Sequence, residues 1–342
     1  MSRTVKLLVL LAASVIAAIP VARLHASRSA VEAADFELAM VIKETTNPYY
    51  NATLAGAKIA AGEIGGTAKN YGPTQSSPQA QIEIINNLAD RRVAAIAIAP
   101  SDPNAVVPAM KRAQKLGSKV ITFDADSAAD GRPFFVNQAT TESVGQFGAV
   151  KLAEVLGNKG KVAIVSAQPT AANQNAWIAA FREELKKPAY KNIQIVDEVY
   201  GYDNEQKAFD LTVALTTKHP DLAGVYAPTC PGLPAVARAL ESVNKGKGAI
   251  KLAGMCVPSI TSKYMLDGTI QVFYLWDPIK LGYVTYYAAK NFAEGKIQGK
   301  PGDSFTVKEG KWPGTYTIGD NGQIITGEPL QFTKDNYKDY DF

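Results

Sequence analysis

Hydrophobic and polar positions along this chain alternate between two periods. Short apolar runs, as strands buried on both faces require, are separated by stretches with apolar residues at helical spacing. Phe36–Ile42 is the first run, and the helical pattern from Ala52 to Ile64 stops at Gly65-Gly66. Thr67–Tyr71 reads as a second strand. Ser77-Pro78 opens a helix, serine as cap and proline in the first turn, with Ile82, Ile85 and Leu88 following at helical spacing. Val93–Ala99 is continuously apolar, Asp102-Pro103 opens a helix that Gly117 closes, and Val120–Phe123 is a strand ending at Asp124. Strands alternating with helices in this order predict a parallel sheet with right-handed crossovers.

The pattern then restarts. Ser143–Leu156, Asn173–Lys186, Glu205–Lys218, Leu233–Val243, Ser259–Asp267 and Pro278–Glu294 read as helices. Between them, Lys161–Ser166, Ile193–Val199, Ala223–Ala227, Ile250–Met255 and Ile270–Trp276 read as strands. Phe134–Gln138 reads as the loop joining the halves. The tail from Ser304 to Phe342 is rich in Thr, Gly, Tyr and Lys and reads as short strands and turns. The fold class is α/β: two doubly wound parallel-sheet lobes in tandem, with no Gly/Ser linker between them. Such a pair predicts a hinge and a cleft, with ligand at the carboxyl edges of the sheets.

The first 26 residues do not belong to this pattern. Arg3 and Lys6 form a basic start, Leu7–Ile19 is an apolar run broken only by Ser14, Pro20 ends it, and Ala22 and Ala26 offer small-residue cleavage points. This is the pattern of a secretory signal, too short for a membrane span. Cleavage after Ala26 removes Arg3, Lys6 and Arg23 and lowers the net charge from +4 to +1, so the charge is no argument for nucleic acid. An exported, periplasmic chain is expected. Two cysteines, Cys230 and Cys256, are too few for a disulfide scaffold. They follow strands that can be neighbours, and either a disulfide or two free pocket-lining thiols fits an exported protein.

The strand ends carry the chemistry. Lys43, Asn47, Tyr49 and Tyr50 follow the first strand, and Asp124 follows Phe123. Asn173 and Gln174 sit in a polar strand-to-helix turn with Thr170 and Asn175, and Trp177 lies close behind. Pro228 and Cys230 follow another strand, and Asp277 follows Trp276. Amides, hydroxyls, a lysine, aspartates and aromatic rings suit a polyhydroxylated ligand, because each hydroxyl both donates and accepts. Asn47, Asp102, Asn173 and Asp277 also read as turn or helix caps.

Signatures of catalysis are missing from the sequence. It has no phosphate-binding glycine loop, no dinucleotide fingerprint and no G-x-S-x-G. Its two histidines are His25, in the signal region, and His219, at a Lys-His-Pro helix end. No enzyme activity, cofactor or metal is expected. A transcription regulator of this layout carries an N-terminal helix-turn-helix, where this chain has its signal.

The chain resembles the type I periplasmic solute-binding proteins of sugar ABC importers, the ribose-binding class, from Phe36 to Phe342. Asn47-Pro48-Tyr49-Tyr50 is similar to that family's Asn-Pro-aromatic-aromatic ligand segment, and Gln79–Ile82, Ala95–Ile98 and Val120–Asp124 match its helix and strands. Ile42-Lys43, Phe135–Gln138, Ala172–Trp177, Leu275–Asp277, Gly254–Pro258 and Gly327–Pro329 bring it closer to rhamnose-binding proteins and Lsr-type autoinducer-2 receptors. That resemblance implies Lys43, Asp124, Asn173, Gln174, Pro228 and Cys230 as pocket positions. Autoinducer-2 receptors of the best-known kind have Asp-Gln in place of Asn173-Gln174 and alanine in place of Cys230. Ribose-type proteins have an arginine in the Asn173–Gln174 turn and an aspartate at Cys256. The departures favour a small sugar such as rhamnose or another deoxysugar, with the autoinducer as the alternative ligand.

The expected lobes are 36–138 plus about 278–304, and 139–277 plus about 305–342, joined by crossings near Gln138, Asp277 and Ser304. Asn137, Gln138 and Asp277 lie near that hinge as further candidate ligand contacts. The expected partners are the small ligand and a membrane permease, with the protein itself a monomer.

Overall fold

The computed structural model describes residues 36–342. The signal-like segment, residues 1–26, lies outside the described residues.

The first lobe begins with β1 (Glu37–Val41), α1 (Tyr49–Ile64), β2 (Thr67–Tyr71), α2 (Pro78–Asp90), β3 (Ala95–Ile98), α3 (Val107–Lys115), β4 (Lys119–Phe123) and β5 (Phe135–Asn137). The second holds α4 (Thr141–Leu156), β6 (Lys159–Ser166), α5 (Ala172–Leu185), β7 (Asn192–Tyr200), α6 (Glu205–Lys218), β8 (Leu222–Ala227), α7 (Gly232–Ser242), β9 (Lys251–Met255), α8 (Pro258–Leu266) and β10 (Val272–Leu275). There follow α9 (Pro278–Ala293), β11 (Ser304–Val307), β12 (Gly314–Thr317), β13 (Gln323–Ile325) and β14 (Leu330–Phe332).

Two six-stranded sheets result, ordered β13-β5-β4-β3-β1-β2 and β14-β10-β9-β8-β6-β7. All pairings are parallel except β14 against β10. The apolar runs are explained by burial on both faces. Leu38 and Met40 of β1 pack into one core cluster, and Ala39 and Val41 pack with Ile85, Leu88 and Met110 into another. Ser77 caps α2 by accepting the Ala80 N–H, as its sequence predicts.

α9 returns to the first lobe and lies against α1. The crossing is close because both helices carry glycine there. A Cβ on Gly56 would sit 1.8 Å from the Ile279 carbonyl oxygen, and one on Gly282 would sit 1.7 Å from that of Thr53.

The tail divides between the lobes, which corrects the expected assignment of 305–342 to the second. β11 and β12 pair with each other. Phe305 of β11 stacks on Tyr287 of α9, and Trp312, between the two strands, meets Tyr283 edge to face. β13 pairs with β5 in the first sheet, and only β14 joins the second. The third crossing therefore lies between β13 and β14, at Thr326–Pro329, and not near Ser304. It runs beside the first crossing: Thr326 donates its N–H to the Asn137 carbonyl at 2.9 Å and its hydroxyl to that of Gln138 at 3.3 Å.

Two local expectations also change. Phe135–Asn137, read as part of a loop, is a strand, held between β4 and β13. The helix expected from Asp102 begins at Val107. The Asp102 carboxylate instead accepts the N–H groups of Asn104 and Ala105, both at 2.9 Å, which holds a turn ahead of the helix.

Candidate functional site

In each sheet the chain reverses its direction of winding once, between β1 and β3 and between β6 and β8. Ligands of open α/β sheets lie beyond the carboxyl ends of the strands at such a point. The turns after β1, β6 and β8 face one another here around a cavity of about 50 Å³.

The turn after β1 is locked by its own residues. The Asn47 side chain accepts the Tyr49 N–H at 3.1 Å, and the Asn47 carbonyl accepts that of Tyr50. Both tyrosines thereby enter the first turn of α1 with their rings edge to face, 5.3 Å apart. Tyr50 donates to Asp124 Oδ2 at 3.0 Å, and the Tyr49 hydroxyl accepts Trp276 Nε1–H at 2.9 Å. Burial, reinforced by the Asp124 carboxylate, holds both phenols well above the usual tyrosine range, so they stay protonated donors. Burial likewise raises the pKa of Asp124, against the opposing pull of Lys43 and the two tyrosine hydroxyls.

Three residues close the cleft. Lys43 Nζ of the first lobe donates to Asn173 Oδ1 of the second at 3.1 Å. Asn173 Nδ2 reaches back to the Asp124 carbonyl at 3.5 Å. Gln174 accepts the Ala167 N–H at 3.0 Å and the Ser166 hydroxyl at 3.3 Å through Oε1, which orients its amide group at the cavity wall. Beyond this triad, Gln168 donates to Ser76 at 2.7 Å and Thr170 to the Ser101 carbonyl at 3.3 Å, both across the cleft.

The sequence-predicted residues Lys43, Asn47, Tyr49, Tyr50, Asp124, Asn173, Gln174, Pro228 and Cys230 all line this cavity. Asn137, Gln138 and Asp277 do not. Asn137 bonds Gln323 at 3.0 Å, and Gln138 donates to the Asp124 carbonyl at 3.1 Å, supporting the wall from behind. Asp277 caps α9, accepting the Lys280 N–H at 2.9 Å. Asn173, read as a cap, lies within the first turn of α5, whose cap position is Ala171.

Asp203, Thr229, Met255, Leu275 and Trp276, which the sequence does not single out as ligand contacts, complete the lining together with Trp177 behind the Asn173 turn. Asp203 follows β7 and obeys the same strand-end rule, which was not applied to that strand. Trp177 and Trp276 pack at 5.3 Å and, with Met255 and Leu275, give the cavity an apolar side. Cys230 and Cys256 are joined in a disulfide that ties the ends of β8 and β9.

A two-lobed α/β protein whose cleft joins polar side chains from both sheets around an aromatic wall is built to enclose a small polar molecule. Residues 38–297 match the periplasmic binding protein domain, and the chain belongs to that family. An ABC transporter solute-binding protein from Clostridium phytofermentas, solved with bound L-rhamnose, is 31% identical with a TM-score of 0.85, over 90% of this chain and 98% of that one. A sugar ABC transporter protein from Actinomyces odontolyticus is 38% identical with a TM-score of 0.71, over 91% and 99%. LsrB from Clostridium saccharobutylicum, in complex with AI-2, shares the fold with a TM-score of 0.83 at 23% identity, over 90% and 100%. The protein is thus a solute-binding component of a sugar ABC transporter, and not an enzyme. Among the described residues no helix is long and apolar enough to cross a membrane.

Proposed function

We propose that this protein captures L-rhamnose or a similar deoxysugar in the interlobe cleft and presents the closed form to a membrane permease. The observation that carries the reading is the bond from Lys43 to Asn173 across the cleft, with Asp124 beside it. Groups from both lobes meet where one ligand can touch both, the requirement for a ligand to stabilise closure. Hydroxyls of the sugar meet Lys43, Asp124, Asn173 and Gln174. A methyl group in place of a hydroxyl suits the apolar side made by Trp177, Met255, Leu275 and Trp276. The L-rhamnose bound to the Clostridium phytofermentas relative supports the same class.

The protein acts after export and signal removal, in the periplasm, as a monomer and without nucleic acid. Hinge motion occurs at the crossings 138–140, 276–277 and 326–329. A second reading, reception of AI-2, is favoured by the fold shared with LsrB and by the Lys43–Asp124 arrangement. Asn173 counts against it, because an amide replaces the carboxylate implied for such receptors. Isothermal titration with L-rhamnose and with AI-2 separates the readings: heat from the sugar alone is expected, and heat from AI-2 alone removes the sugar reading.

A further inference from the structure

The turn after β7 is built at some conformational cost. Tyr202 and Asp203 are consecutive non-glycine residues with left-handed backbone, φ 57° and 52°. L-residues other than Asn and Asp seldom adopt this conformation, and it persists where surrounding bonds enforce it. Here Gly201 N–H bonds the Ser166 carbonyl at 2.8 Å, Tyr202 N–H that of Ala167 at 2.6 Å, and Asn204 N–H that of Gly201 at 3.0 Å. The turn is thereby folded onto the end of β6. Tyr202 is left 46% exposed while Asp203, its neighbour, is buried at 9% in the cavity wall.

Asp124, in the opposite lobe, has the same design. Its φ is 62° and it is 4% exposed. Each carboxylate has one oxygen taken by a neutral hydroxyl, Tyr50 for Asp124 and Thr229 for Asp203. Neither has a cation within ion-pair distance among the described residues, although Lys43 lies near enough to favour the charged form of both. A buried carboxylate accepts several hydrogen bonds and is costly to leave short of them. Tyr50 and Thr229 donate to one oxygen each, and both Asp124 and Asp203 line the cavity, where ligand hydroxyls can complete the set.

We infer that Asp203 is a ligand-contacting specificity residue, the second lobe's counterpart of Asp124, and that the pair selects neutral ligands with hydroxyl donors on two opposite edges. An anionic sugar acid meets two carboxylates and is disfavoured, as is a sugar lacking the hydroxyl at the Asp203 edge. This rests on the sugar-binding reading above.

The test is calorimetry on the full mature protein with L-rhamnose, D-arabinose and D-fucose, followed by single-deoxy forms of whichever binds. If the wild type binds none of these sugars, the sugar reading fails and takes this inference with it. If it binds one, Asp203→Ala is expected to lose at least tenfold in affinity. One single-deoxy sugar should then lose at least tenfold on the wild type but bind the variant as tightly as the parent sugar does. Asp203→Asn, of the same shape, serves if the alanine variant does not fold, with the same deoxy comparison. Parent-sugar affinity within twofold of wild type in the folded variant overturns the inference. So does a loss that every deoxy sugar suffers equally in variant and wild type, which marks a structural role only.

Discussion

The two lobes share one strand order, yet they build their halves of the cavity by different means. The first lobe's share is almost one continuous turn, Lys43 to Tyr50, with Asp124 added from the end of β4. Its side chains are charged, phenolic or amide. The second lobe's share is gathered from the ends of β6, β7, β8, β9 and β10, and a disulfide ties two of them. It carries the apolar residues Trp177, Met255 and Leu275, with Trp276 at the crossing that follows. One wall is set by local hydrogen bonds within a turn, the other by the relative positions of separate strands. The first should tolerate loss of long-range constraints, and the second should not.

The largest effect expected from this difference concerns the disulfide. Replacing Cys230 and Cys256 together by alanine opens a loop with a sequence separation of 26. It should lower the unfolding free energy by roughly 3 kcal/mol. Denaturant titration with and without reductant checks this: the wild type should respond to reductant and the double variant should not. Equal stability of the two would show that the strand ends hold their positions unaided.

The first lobe's wall should fail by chemistry instead. Asp124→Ala removes a buried acceptor on which Tyr50 converges and which faces Lys43. Ligand affinity should fall by about 1.5–3 kcal/mol, the range for hydrogen bonds to charged groups. Calorimetry measures it, with the melting temperature as a control for folding. Unchanged affinity would mean that ligand does not reach Asp124.

The same contrast explains what the sequence made legible. The Lys43–Tyr50 turn could be read because its residues are contiguous and its capping is local. The alternation of strands and helices was legible because the inner strands β1, β3, β4, β8 and β9 are apolar and buried on both faces. Asp203 was passed over because β7 is an edge strand, and nothing local reveals that its following turn folds back over β6. The disulfide stayed open because it depends on β8 and β9 being adjacent, a fact of pairing rather than of pattern. The third crossing was misplaced because β13 and β14 span only Gln323–Ile325 and Leu330–Phe332. Each is too short for periodicity to show, and β13 pairs with a strand far away in the chain.

Asn173 is where the two walls touch. Asn173→Ala removes the bond from Lys43 and the contact with the Asp124 carbonyl. A loss of about 1–1.5 kcal/mol in ligand affinity is expected from the neutral hydrogen bond or two that the Asn173 amide gives the ligand. A loss no greater than that of an exposed control, such as Asn192→Ala, would place ligand entirely on the first lobe's side.

The smallest effect, and the one that probes closure itself, comes from Glu44. It directly follows Lys43, is 2% exposed, and its Oε1 has no hydrogen-bond partner. Burial, and then the charge of Asp203 on the opposite lobe, push its pKa from an ordinary 4.5 up to about 8, while Lys43 and the Ser76 backbone N–H pull the other way. Asp124 and Asp203 are displaced in the same direction, mainly by burial. Opening the cleft hydrates Glu44 and parts it from Asp203, which returns its pKa toward 4.5. The closed form then holds a proton that the open form releases in the window between 4.5 and 8. Closure, and ligand affinity with it, should therefore weaken as pH rises through that window and level off above it. From linkage, the step between pH 7 and 8 is about fivefold. Titration in two buffers of different ionisation enthalpy should show close to one proton taken up on binding at pH 7. Glu44→Gln, uncharged at every pH, should bind tightly and flatten the profile. A wild-type affinity that holds constant or rises from pH 6 to 8 would show that Glu44 does not change its surroundings when the lobes close.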